Sequence, residues 1–140
     1  MAEFNKKSKS NLIGLHPQLV AFAEELLSVS PYYFIITAGV RTAEEQNKLY
    51  QQGRTIPGKK VTNCDGYKYK SNHQVKNDGL GYAFDIAIVL GNKLNWDPAK
   101  YIELVKSARG LLAKFNIEWG GDWKNFKDYP HFQLKEGKNE

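Results

Sequence analysis

His73, Asp85, Asp128 and His131 are the side chains of this sequence best suited to hold and use a divalent metal ion. Asp85 lies in GYAFDIAIV (81–89), where Tyr82, Phe84, Ile86 and Ile88 alternate with Ala83, Asp85 and Ala87. That period of two predicts a strand with one apolar face. A carboxylate in such a segment must be paired, hydrogen-bonded or bound to metal, because an isolated buried charge is too costly. Backbone amides or a guanidinium such as that of Arg41 are its structural partners; a metal is its functional one. Histidine is scarce, with only His16, His73 and His131 in the chain. His73 ends the Ser71-Asn72-His73 segment just before the strand, and His131 opens HFQL near the end. Two imidazoles and one carboxylate form a tridentate set for Zn2+ with a fourth position open to water. Co2+ and Mn2+ fit the same donors. An ion held this way lowers the pKa of a bound water and polarises a carbonyl.

Such a water needs a general base within hydrogen-bond reach. KDYPHFQL (127–134) offers Asp128 three residues before His131. Pro130 keeps Tyr129 extended, so the pair belongs to a loop-to-strand turn and not to a helix. Asp is also a common turn initiator, which is the plain structural use of Asp128. His16, at a helix start, reads as structural. Cys64 is a weaker ligand candidate because no second cysteine supports it.

The elements that must position these groups are legible in outline. Pro17 in a first turn, with Leu19, Phe22, Ala23, Leu26 and Leu27 at helical spacing, predicts a helix over 16–28. YYFIITA (32–38) reads as a buried strand. Thr42 with Glu45 is a capping box opening a helix that Gly53 closes. Residues 53–81 show no period, and so long an irregular stretch in a small domain is functional or disordered. Asp97-Pro98 starts a predicted long helix through Phe115, with Tyr101, Ile102, Val105, Ala108, Leu112 and Phe115 as its core stripe. A short IEW strand, a GGDW turn and a strand at HFQL follow. This order predicts an α+β fold, helices packed on a small, mainly antiparallel sheet. One domain over 1–140 is expected, with 1–12 a flexible arm and 135–140 a polar tail.

A hydrophobic fraction of 41% and a charged fraction of 25% are those of a globular protein. One cysteine excludes an internal disulfide framework. The basic start has no apolar h-region, so no secretion signal is expected, and no apolar run reaches the ~18 residues of a membrane span. A net charge of +5 suits an anionic partner. The lysines form no nucleic-acid module, so nucleic acid is not expected; a phosphate- and carboxylate-rich bacterial envelope fits.

GVRTAEEQNKLYQQGR (39–54), SNH (71–73), GYAFDIA (81–87) and WGGDWKNFKDYPHFQL (119–134) together resemble the LAS-type zinc peptidases of the M15 family. The resemblance is closest to the phage endolysins that act as L-alanyl-D-glutamate endopeptidases, and it covers roughly residues 14–134. It implies a LAS/hedgehog-like fold, with His73, Asp85 and His131 as zinc ligands and Asp128 as the catalytic carboxylate. It also implies Arg41 as a catalytic and substrate-binding guanidinium, followed by Gln46. Ser71, Trp119 and Trp123 are further candidates for contact with substrate, and Asp122 for orienting a histidine. One departure stands out. Seven residues, QVKNDGL, separate His73 from Gly81 where the family pattern has two. Asp78, inside this insertion, is an outside candidate ligand. The implied substrate is the peptidoglycan stem peptide, cut by a bare catalytic domain, a monomer, after a holin-type partner releases it from the cytoplasm. A D-Ala–D-Ala carboxypeptidase or dipeptidase on the same scaffold, and a non-catalytic wall-binding module, are the alternatives.

Overall fold

The computed structural model describes residues 3–135. A five-stranded antiparallel sheet is built on β2 (Ala83–Leu90). One edge of β2 pairs with β1 (Phe34–Ala38), in register Phe34 to Ile88 and Ile36 to Ile86. The other edge takes the short β3 (Lys93–Asn95) near one end and β5 (His131–Leu134) near the other. β4 (Ile117–Trp119) pairs with the outer side of β5. The α+β architecture predicted from the sequence is the one observed.

The sheet's apolar face carries Phe34, Ile36, Phe84, Ile86, Ile88 and Phe132, all essentially without solvent contact. α2 (Pro17–Val29) covers it with Leu19, Phe22, Ala23 and Leu26. Burying each large side chain contributes about 1.5–3 kcal/mol, which outweighs the modest propensity of a helix this short. Phe22 meets Phe84 and Phe132 at ring-centroid distances of 6.1 and 5.7 Å, joining α2 to the two strands that carry the site. His16 caps α2 by accepting the Gln18 N–H at Nδ1, the structural role its position suggested. The Thr42–Glu45 capping box forms as predicted and opens α3 (Ala43–Gln51).

Two expectations about helices need correction. Residues 1–12 are not a flexible arm over their described part: Lys6–Leu12 is a helix, α1, capped by the Asn5 side chain. Its polar residues serve the sheet and not the solvent. The buried Ser8 Oγ accepts the Ile36 N–H at 2.9 Å, and Asn11 Nδ2 donates to the Ile36 carbonyl at 2.8 Å. These contacts close the open edge of β1, a row of groups that would otherwise invite strand addition. The predicted long helix over 98–115 is two, α4 (Pro98–Lys106) and α5 (Arg109–Phe115). The break falls where the Ser107 hydroxyl bonds the Leu104 carbonyl, the side-chain competition that makes Ser a poor interior helix residue. Within α4 Leu104 is buried and Ile102 is half exposed, so the predicted stripe is wrong at Ile102. Of the expected tail, Lys135 still bonds Asn116 through its backbone; 136–140 lie outside the described residues.

Candidate active site

The β2–β5 register assembles two of the four groups. Asp85 pairs with His131, and Ala83 with Gln133. Opposed residues of an antiparallel pair share a face, so Asp85 and His131 emerge together on the side away from the Phe84–Phe132 stack. His131 Nδ1 lies 3.1 Å from Asp85 Oδ1. Ala83 and Ala87 flank the carboxylate on the same face of β2 and are themselves buried.

His73 arrives from the long irregular segment and is locked by backbone contacts. Its carbonyl accepts the Arg41 N–H at 2.8 Å, and its Nδ1 lies 2.8 Å from the Gly39 carbonyl. A carbonyl only accepts, so Nδ1 carries the proton and Nε2 presents a lone pair. Nε2 is buried, 3.4 Å from Asp85 Oδ1, yet makes no hydrogen bond. Among the described residues it is the one buried side-chain nitrogen or oxygen without such a partner. An orphaned imidazole nitrogen aimed at a carboxylate and a second imidazole is what a metal ligand looks like. One donor atom each from His73, Asp85 and His131 lie within 4.8 Å of one another. The residues present therefore fit a divalent ion.

The QVKNDGL insertion does not disturb this register. Tyr82 N–H bonds the Asn72 carbonyl at 2.9 Å, so the chain resumes beside the point it left. The extra residues close on themselves through Lys76 and Leu80. Asp78 is no ligand: it accepts from the Leu80 N–H and the Tyr82 hydroxyl within that turn.

Both imidazoles are oriented by acceptors behind them. His131 Nε2 lies 2.7 Å from Gln133 Oε1, which also accepts from Asn72 Nδ2 at 3.0 Å. Gln133 thus holds the Nε2–H tautomer of neutral His131 and leaves Nδ1 for an ion. Burial pushes Asp85 upward, but its interactions with the His73 and His131 imidazoles outweigh it and hold the carboxyl well below the usual range. Burial likewise pulls His131 down, and the Asp85 hydrogen bond and charge outweigh that, leaving the imidazole raised. An ion at Nδ1 competes with the proton held there.

Asp128 is set beside this group by a turn and two glycines. The His131 N–H bonds the Asp128 carbonyl at 3.1 Å, closing the four-residue turn that the sequence suggested. Asp128 N–H in turn bonds the Gly120 carbonyl at 3.1 Å. A Cβ at Gly120 would lie 2.2 Å from the Asp128 carbonyl oxygen, and one at Gly121 would lie 2.3 Å from the Trp119 ring. WGGD therefore needs both glycines so that the Asp128 backbone and the indole can approach. Burial first, then the negative charge of Asp85, push the Asp128 carboxyl up; His131, His73 and Arg41 offset this only in part.

These groups line one cleft of about 720 Å³, with Arg41, Ser71, Trp123, Lys70 and Lys127 around them. Arg41 donates to Asp85 Oδ2 from NH2 and to Gln46 Oε1 from NH1, each at 3.1 Å. Arg41 is thus the structural partner proposed for Asp85, and the same carboxylate belongs to the His–Asp–His group that could hold an ion. Trp123 tilts onto the His131 ring at 5.2 Å, its N–H on Glu118. Ser71 Oγ accepts the His73 N–H at 3.1 Å. Three expectations fail. Trp119 is a core residue, its N–H on the Tyr129 carbonyl, and it lines no part of the cleft. Gln46 is fully buried behind Arg41, which it bridges to Cys64 and Thr62, so it holds the guanidinium in place and has no exposed surface of its own. Asp122 is paired with Arg109 on the surface and orients no histidine. Cys64 borders the cleft but stands outside the His–Asp–His group. Gln133 was missed; its signal is its place two residues after His131, on the same face of a strand.

An antiparallel sheet that holds two imidazoles and a carboxylate on one face, beside a half-buried acid, defines a hydrolase site of metallopeptidase type. The chain belongs to the phage L-alanyl-D-glutamate peptidase family, whose model matches residues 1–137. It is 36% identical over 110 residues to the peptidoglycan L-alanyl-D-glutamate endopeptidase CwlK of Bacillus subtilis, a match covering 71% of this chain and 59% of that protein. It is 28% identical over 138 residues to the L-alanyl-D-glutamate peptidase of Escherichia phage T5, covering 96% and 90%. Among solved structures, the L-Ala D-Glu endopeptidase ChiX of Serratia marcescens superposes with a TM-score of 0.73 at 26% identity, over 95% of this chain and 90% of that one.

Proposed function

We propose that this chain is a zinc-dependent peptidoglycan endopeptidase that hydrolyses the L-Ala–D-Glu bond of stem peptides, as a phage endolysin does during host lysis. The observation that carries the reading is the orphaned, buried Nε2 of His73 facing Asp85 and His131, with the Asp128 carboxyl beside them. His73 Nε2, one oxygen of Asp85 and His131 Nδ1 would hold the ion. When bound, the ion polarises the scissile carbonyl and acidifies the attacking water. Asp128 takes the proton of that water and returns it to the leaving D-Glu nitrogen, two transfers that favour a carboxylate with a raised pKa. Arg41 uses two of its five donors on Asp85 and Gln46, and the others are left to steady the oxyanion or a substrate carboxylate. Trp123 and Ser71 wall the cleft around the peptide, and Gln133 keeps His131 in the ligating tautomer.

No helix among the described residues is long and apolar enough to cross a membrane. We assign the site of action to the wall, reached through a separate permeabilising partner, and the working form to a monomer. One experiment tests the core of this reading: metal content per chain for wild type and His131→Ala, with digestion of purified peptidoglycan with and without chelator. One zinc per chain, lost in the variant, and chelator-sensitive release of new N-terminal D-Glu are expected. Muropeptide mass spectra with intact L-Ala–D-Glu bonds and trimmed D-Ala ends would overturn the bond assignment.

A further inference from the structure

The segment that leads into Ser71 presents two tyrosines for which the fold has no use. Tyr67 and Tyr69 are 63% and 59% exposed. The loop that carries them is nevertheless rigidly held. Asp65 Oδ1 accepts the N–H groups of Tyr67, Lys68 and Tyr69 at 2.9–3.0 Å. Asn47 of α3 donates to the Asp65 carbonyl, and the buried Gln74 amide to the Gly66 carbonyl, both at 2.9 Å. Gly66, at φ +91°, sits so close to α3 that a Cβ would lie 2.5 Å from the Ala43 carbonyl oxygen. Two large aromatics held outward on an ordered loop are pre-organised contact area, since little entropy remains to be lost on binding.

The place of the loop indicates what it meets. Thr62, Asn63 and Cys64 before it, and Lys70 and Ser71 after it, line the active-site cleft, so the loop that carries the tyrosines leaves the cleft wall and returns to it. In peptidoglycan the L-Ala of the stem peptide is joined directly to the lactyl group of a muramic acid. The L-Ala residue and the lactyl group therefore separate the scissile bond from the sugar, a reach of roughly 7 Å at ~3.5 Å per extended unit. A chain that cuts after this L-Ala must accommodate a sugar at the edge of its cleft. Pyranose rings offer C–H faces to aromatics and hydroxyls to the phenols.

Resting on the endopeptidase reading above, we propose that Tyr67 and Tyr69 form a sugar-binding platform for the muramyl residue of the glycan strand, so that the chain prefers glycan-linked stem peptides to free ones. The test compares kcat/KM on a muramyl tetrapeptide and on the same tetrapeptide without its sugar, for wild type, the Tyr67→Ala/Tyr69→Ala double variant and the corresponding double Phe variant. Wild type should favour the sugar-bearing substrate about tenfold, mostly through KM, equivalent to about 1.4 kcal/mol. The double Ala variant should fall to parity with its rate on the free peptide unchanged, and the double Phe variant should keep the preference. Parity in wild type, or an undiminished preference in the double Ala variant, overturns the proposal. Co-sedimentation with insoluble glycan strands stripped of peptide reads the platform without any cleavage: wild type should bind several-fold more than the double Ala variant, and equal binding overturns it. If neither substrate is cut while strand binding still depends on the tyrosines, the bond assignment has failed and the platform stands. A shift in wild-type elution to a dimer, lost in the double Ala variant, would give the tyrosines to a second copy and overturn the sugar assignment.

Discussion

Asp85 and His131 are direct partners across the β2–β5 ladder, with Oδ1 and Nδ1 3.1 Å apart. The distance between these two groups is therefore a property of the sheet register and not of a loop. A one-residue slip of β5 against β2 would send His131 to the face opposite Asp85 and Phe132 out of the core, which couples the integrity of the site to that of the core.

Replacing Asp128 by Asn should leave metal content unchanged and lower kcat by about 10²–10⁴, the usual worth of a positioned acid–base group. Steady-state kinetics and metal analysis on the same sample check it; activity within threefold of wild type would remove Asp128 from its role.

The same variant carries a pH signature. Asp128 has a folded pKa above its ordinary value, so the fold binds its proton more tightly than the unfolded chain does. Stability from this group is present below the unfolded pKa and is lost as pH rises through the folded one. In the metal-free protein Asp128→Asn should therefore raise Tm at pH 7, and the gain should vanish on acidification past the folded pKa. Thermal melts across pH 3–8 measure it, and an equal Tm difference at every pH contradicts it.

Gln133→Ala should weaken metal binding by about 10–100-fold, the usual effect of losing the acceptor behind a ligating imidazole. Competition with a chromogenic chelator reads this directly. Gln133→Glu, which keeps an acceptor at the same reach, should restore most of the affinity.

Gly120→Ala forces the Asp128 backbone away, because the added Cβ would fall 2.2 Å from its carbonyl oxygen. A loss of about 10²-fold in kcat with zinc still bound is expected, since displacement by an ångström is enough. Overpacking should cost about 1–3 kcal/mol of stability as well.

Ser8→Ala tests the helix that replaces the expected arm. It leaves the Ile36 N–H without its acceptor, at a cost of about 1–3 kcal/mol. Denaturant melts showing no change would mean that α1 contributes nothing to the β1 edge.

Much of this molecule is written in local pattern. The alternation around Asp85 predicted β2 and its two faces, Pro17 and the Thr42–Glu45 box predicted the starts of α2 and α3, and KDYPHFQL predicted a turn that seats an acid before a histidine. Each is a short-range effect of backbone geometry or side-chain capping, so neighbours in sequence suffice to reveal it. The sequence by itself also nominated His73, Asp85, His131 and Asp128, because few side chains have their chemistry. Only the tertiary structure brought His73 to Asp85 across the QVKNDGL turn, set Gln133 behind His131, sent Trp119 inward and Trp123 to the cleft, and turned Ser8 and Asn11 from solvent to the β1 edge. Those outcomes depend on which distant backbone groups need a partner and which ring has room to pack, and pairings of that kind exist only once the chain has closed on itself.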